Sequence, residues 1–152
     1  SPEHASLYCA ELGLLISGDM LLPRISTNVS VHAANPMDDA LGWFLCSLHR
    51  IINLPVETLV LPSHGKPFRG IRERVEELEA HHADRCSALI EAMSQPVSAA
   101  QLLPTLFRRE LDNHQVMFAV GETIAHLNHL QRRGSIRRID EADGSIRYAR
   151  RR

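Results

Sequence analysis

The apolar period changes several times along the chain, and each change predicts an element. Two short apolar runs open it, Ala5 to Ala10 and Leu14 to Ser17, with Glu11-Leu12-Gly13 between them, a spacing that predicts a hairpin. Gly18-Asp19 ends the second run, and a loop of small polar residues follows from Pro23 to Pro36. From Met37 the period becomes helical: Leu41, Phe44, Leu45, Leu48, Ile51 and Ile52 share one face, and Asp38 and Asp39 favour the start. Pro55 breaks that pattern, and Thr58-Leu59-Val60-Leu61 reads as a strand buried on both faces. A long helix over residues 71–93 comes next, its stripe made by Val75, Leu78, Cys86, Leu89, Ile90 and Met93.

Gln95-Pro96-Val97-Ser98 interrupts this helix, and Ser98 suits the next N-cap. A domain boundary is expected here, giving residues 1–95 and 96–152. The second part predicts a helix over 98–107 and another over 116–133, with Ile124, Leu127 and Leu130 on one face and Gly134 as C-cap. Ser135 to Ile139 and Ser145 to Ala149 flank Ala142-Asp143-Gly144, a strong short-range hairpin signal. Helix, helix, basic hairpin is the order of a winged helix-turn-helix.

Composition narrows the classes. A chain of 152 residues, 44% hydrophobic, can bury one ordinary core or two small ones. A net charge of −1 gives no whole-molecule pull toward nucleic acid or an anionic membrane. The average conceals eight Arg between 132 and 152, opposed by Asp140, Glu141 and Asp143. Cys9, Cys46 and Cys86 are odd in number and lie in apolar contexts, so they read as buried reduced thiols of a cytoplasmic protein. No apolar run reaches membrane-spanning length, and no signal-peptide pattern opens the chain. Its start on Ser1-Pro2-Glu3-His4 suggests a cut boundary and not a native N-terminus.

Two sites carry chemistry. Asp19, in Ile16-Ser17-Gly18-Asp19, and His64, in Leu61-Pro62-Ser63-His64-Gly65, are metal-ligand types on Gly-bearing loops directly after apolar strands. Each alone is an ordinary turn residue; in this order they become informative. A carboxylate can bridge two zinc ions and a neutral imidazole can complete one shell, but one of each cannot close a site.

At these residues the chain resembles the metallo-β-lactamase superfamily. Ser1 to Tyr8 is similar to the tail of that family's third motif, Gly18-Asp19 to its fourth, and Ser63-His64-Gly65 to its fifth, with Ser63 in place of the usual Gly. Pro23 to Asn28 resembles the loop of the glyoxalase II-like and β-lactamase-like protein 2 branch. The resemblance implies an α/β (α+β) chain: the C-terminal half of an αββα sandwich followed by a small winged-helix domain. It implies that Asp19 bridges two zinc ions, that His64 binds the second, and that His4 stands beside a ligand preceding Ser1. It also implies metal-activated water attacking a small-molecule thioester or ester, a lactone or a phosphodiester. The family's His-x-His-x-Asp-His cluster is absent from this sequence, so zinc is expected to be weak or lost and the chain inactive by itself. The same residues would accept manganese or iron. The alternative is a non-catalytic remnant whose winged helix binds a protein partner or RNA.

The other polar residues are weighed against ordinary roles. Asn28 and His32 lie in the loop where this fold places substrate and are candidate substrate contacts. Adjacent His81 and His82 point apart on a helix and read as surface or partly packed; His126 and His129 could clip a metal at i and i+3 but read as surface, and His49 reads as an interior or boundary histidine. Lys66 and Arg69 could meet an anionic group. The basic wing (Arg137, Arg138, Arg147, Arg150, Arg151, Arg152) could touch phosphates, although the preceding helix has few basic residues. Half of a sandwich leaves an apolar sheet face and an open strand edge, so self-association or a retained N-terminal fragment is expected, and no membrane.

Overall fold

Two glycines set the first sheet. Gly13 (φ 59°) turns the chain after β1 (Leu7–Cys9) into β2 (Leu14–Gly18), and Gly18 (φ 55°) releases it at the far end. The structure, a computed structural model, describes residues 4–151. β1 runs antiparallel to β2, and β2 pairs in parallel with β3 (Leu59–Pro62), in the order β1-β2-β3. A parallel pair needs a crossover, supplied by residues 19–58, which include α1 (Ala40–Ile51). α2 (Ile71–Ala92), α3 (Ala99–Leu106) and α4 (Asn113–Arg132) follow, then β4 (Ile136–Asp140) paired antiparallel with β5 (Ile146–Arg150).

The chain divides into two compact units. One contains the described residues through Thr27 with Phe44–Ala80, the other Asn28–Trp43 and His81 onward. This division falls at Ala80–His81, away from the composition break near residue 95.

In the first unit, register assigns the faces. Tyr8, Leu15 and Val60 form one row and Leu7, Ile16 and Leu61 the other. Leu15 and Val60 are buried, whereas Leu7 and Ile16 are 64% and 49% exposed. β3 is therefore fully buried on one face, through Val60, and only half-buried on the other, through Leu59 and Leu61, which corrects the expectation of burial on both. Cys9, on that open side of an edge strand, is exposed, and Cys46 is exposed on the outer side of α1; only Cys86 is partly buried. The cysteines are free, but they are not the buried set expected. His49, expected inside, points outward and pairs with Glu79 at 2.7 Å, because the α1 stripe runs through Leu41, Phe44 and Leu48.

The second unit is built on caps and one apolar cluster. Ser98 begins α3 and Asp112 begins α4, each closing a capping box with the Gln three residues on. Leu89, Met93, Leu102, Leu127, Leu130, Ile136 and Tyr148 form the core. Gly134 (φ 76°) stops α4, and Gly144 (φ 81°) closes the β4–β5 turn, as the sequence implied. No helix among the described residues is long and apolar enough to cross a membrane.

Two histidines expected at the surface lie inside this unit. His82 is 1% and His126 0% exposed, with His82 Nδ1 3.1 Å from His126 Nε2. His82 sits four residues after Leu78 and seven before Leu89, on the α2 stripe itself. His126 Nδ1 donates to the Glu122 carbonyl at 2.8 Å, so its Nε2 must accept from His82 Nδ1–H. The His126 ring is thereby neutral. Burial, then the facing His126, His81, Arg85 and His129, depresses His82 to about 3. Burial also depresses His126 to about 4, against the pull of the Glu122 carbonyl and with Arg85, His81 and His129 adding to the effect. Glu122 pairs with Arg85 at 2.9 Å, and burial raises its carboxyl above the ordinary range despite that guanidinium.

Both imidazoles titrate lower when folded, so below the ordinary value of 6.5 the unfolded chain binds more protons. Stability present above that value is lost as pH falls toward the folded values. Urea unfolding at pH 7 and pH 5 should show a loss of roughly 1–2 kcal/mol for each imidazole. His82→Leu/His126→Leu should flatten the slope over that range; an unchanged slope would refute the assignment.

Candidate metal-ligand loops

Because β2 and β3 are parallel, their C-terminal ends meet at one rim of the first unit's sheet, and each ends in a candidate ligand. β2 is irregular between Ile16 and Gly18, and Met20 N–H donates to the Ser17 carbonyl at 3.0 Å to close the turn holding Asp19. Buried Ser17 fixes this turn through Oγ to the Leu21 carbonyl, 2.9 Å. His4 Nε2 lies 2.9 Å from the Ser17 carbonyl, behind the turn. A β-carbon on Gly18 would lie 2.8 Å from that same Nε2, so a side chain there would displace His4 and would also be strained by the positive φ. The rest of the His4 motif, Ser1 to Glu3, lies outside the described residues.

The second loop is tied to the first. Ser63 N–H donates to the Gly18 carbonyl at 3.1 Å, and the Ser63 hydroxyl donates to Asp19 Oδ1. Thr27 Oγ1 donates to the Asp19 carbonyl. Gly65 (φ 88°) lets the loop pass Pro23, whose Cγ would lie 2.7 Å from any β-carbon there. His64 Nε2 ends 3.5 Å from Asp19 Oδ1, with the two side chains 68% and 52% exposed.

Asp19 and His64 are thus brought together. Two ligands of a tetrahedral zinc with bonds near 2.0–2.1 Å stand about 3.3 Å apart, so this oxygen and nitrogen fit one ion in spacing and chemistry. They make only part of a shell: no group of three or more His, Cys, Asp or Glu able to hold a metal occurs among the described residues. Ser63 is the partner that sequence reading noted only as a departure from a motif; its hydroxyl is what restrains the Asp19 carboxylate. Asn28 and His32 belong to the other unit, both exposed, with Asn28 Oδ1 accepting from Ser30 Oγ at 2.6 Å. Arg69 is occupied with the Glu57 carbonyl at 3.0 Å, and Lys66 is exposed.

Residues 86–151 match the family described as metallo-beta-lactamase-like, C-terminal domain. The chain is similar to a beta-lactamase domain protein from Burkholderia ambifaria: 52% identity over 99% of this chain and 45% of that one, TM-score 0.95. It is also similar to a metallo-beta-lactamase family protein from Thermus thermophilus, with 36% identity over 97% of this chain and 45% of that one, TM-score 0.83. No curated protein matches. The chain therefore carries a metallo-beta-lactamase-like C-terminal domain, and as a whole it is homologous to a little under half the length of these proteins.

The loop packing generates a stability test. Gly65→Ala adds both strain and collision with Pro23, whereas Gly13→Ala adds strain alone, since nothing lies within 4 Å of its β-carbon. Gly65→Ala should cost about 1 kcal/mol more than Gly13→Ala in urea unfolding. Equal costs would mean that the two loops are not packed together.

Proposed function

We propose that this chain supplies two metal ligands, Asp19 and His64, to a zinc-dependent hydrolase of the metallo-β-lactamase family, the remaining ligands lying outside this sequence. The observation that carries the reading is the 3.5 Å approach of Asp19 Oδ1 and His64 Nε2 from loops tied by Ser63. Zinc held there would polarise an electrophilic carbonyl or phosphoryl oxygen and bring water toward a pKa near 7. This chain's own residues do the positioning. Ser63 fixes the Asp19 carboxylate, and His4 braces the turn from behind. The substrate is a thioester or ester in a glyoxalase II-like reaction, or a phosphodiester, and the location is cytoplasmic. Two exposed donors hold a metal weakly, so the chain by itself is inactive. The open row of Leu7 and Ile16 and the unpaired side of β1 are covered in the working protein by its ligand-bearing half, or by a second copy.

Isothermal titration with zinc tests this directly. The chain should bind it weakly, and both Asp19→Ala and His64→Ala should remove that binding. Binding that survives both substitutions sinks the proposal.

A second reading concerns residues 96–152 as a winged helix that contacts RNA. It is favoured by Arg137 and Arg151, exposed and without a carboxylate partner among the described residues, whereas Arg138 pairs with Asp140 and Arg147 with Glu141. Arg152 lies outside the described residues. Fluorescence anisotropy with single-stranded RNA should show salt-sensitive binding that Arg137→Glu/Arg151→Glu weakens at least about tenfold. No difference from the parent would dismiss this contact.

A further inference from the structure

We infer that α4 is a seat for residues 28–39, which makes Gly121 and Asn128 positioning residues for the loop that carries Asn28 and His32. All the contacts lie within the second unit. At the entry, Val31 N–H donates to the Gly121 carbonyl at 3.2 Å, and Ser30 Oγ lies 3.5 Å from the Phe118 carbonyl. At the exit, Asn128 Nδ2 donates to the carbonyls of Pro36 and Asp38, both at 2.9 Å. Arg132 Nη2 donates to the Met37 carbonyl at 3.2 Å. His129 Nδ1 meets Asp39 Oδ1 at 3.1 Å, the same oxygen that accepts Gly42 N–H at the start of α1.

Positions 118, 121, 128 and 132 recur at intervals of three, seven and four, so they line one helix face. The loop meets that face at its two ends, residues 30–31 and 36–39. Its internal backbone bonds are two turns, Asn35 N–H to the His32 carbonyl and Asp38 N–H to the Asn35 carbonyl. Asn128 is 3% exposed and spends both amide hydrogens on the loop, a use that core packing alone does not require.

Gly121 gives the argument its sign. It stands inside a helix of 20 residues, where glycine costs about 1 kcal/mol relative to alanine. A β-carbon there would lie 3.0 Å from Ser30 Cβ, 3.2 Å from its Oγ and 3.3 Å from the Val31 carbonyl oxygen. The helix thus gives up propensity so that the loop can lie on it. The seat does not rest on the hydrolase reading.

Amide hydrogen exchange of the whole chain separates the outcomes. Gly121→Ala should speed exchange at Val31, Asn35 and Asp38 by about tenfold while leaving β4 and β5 unchanged. Adding Ser30→Gly, compared with Ser30→Gly alone, should restore most of the protection. Asn128→Asp, which sets an acceptor against two carbonyls, should loosen Asp38 most. If Gly121→Ala leaves the loop protected and only raises stability, the seat is wrong. It is equally wrong if β4 and β5 loosen in step with the loop, or if Ser30→Gly gives no rescue. The exchange needs neither metal nor substrate, so a failed zinc titration leaves this result standing, and a failed exchange test leaves the zinc result standing.

Discussion

Parallel pairing of β2 with β3 is the constraint on which the candidate site depends. Two parallel strands end at the same rim of a sheet, so residues far apart in sequence leave the ladder side by side. The bond from Ser63 N–H to the Gly18 carbonyl extends this pairing one step past the strands. It converts shared direction into shared position. Without it, Asp19 and His64 would be two exposed polar side chains on unrelated turns.

Glycine and serine divide the work of that rim. Gly18 and Gly65 take backbone shapes closed to other residues, and each also stands where a side chain would strike a neighbour, His4 in one case and Pro23 in the other. Ser63 adds a directed hydroxyl where a glycine would add none. The result is an acidic oxygen and an imidazole nitrogen held 3.5 Å apart, near the separation of two ligands on one zinc ion, but open to water. Two exposed donors make only part of a coordination shell, which is the physical reason for reading this chain as a contributor to a site.

Much of this was legible in the sequence, because local rules and tertiary structure agree there. Ser98 and Gly134 marked helix ends, Asp143-Gly144 marked a hairpin, and the apolar periods of residues 37–52 and 71–93 marked helices. Asp19 and His64 stood out because each follows an apolar run and a glycine neighbours it, and the structure brings the two side chains together. What was not legible depended on partners. His82 and His126 satisfy each other's polarity inside the core, and a histidine's hydropathy carries no sign of such a companion, although the position of His82 on the stripe of Leu78 and Leu89 was a signal. Cys46 and His49 fell outside a stripe narrower than the run of apolar residues suggested. The second row of the sheet is exposed because burial on both faces requires a cover that pattern alone does not specify.

α4 answers to three neighbours at once. Leu127 and Leu130 enter the apolar core, His126 meets His82, and Gly121 with Asn128 carries the loop. Eight of its residues between Ala119 and Leu130 are buried, yet its sequence is only weakly apolar. Such a segment gains little by coiling alone in water, since nucleation is costly and few of its faces suit solvent. Its order is therefore lent by its surroundings, and α4 should gain or lose structure together with the apolar core that Leu127 and Leu130 enter.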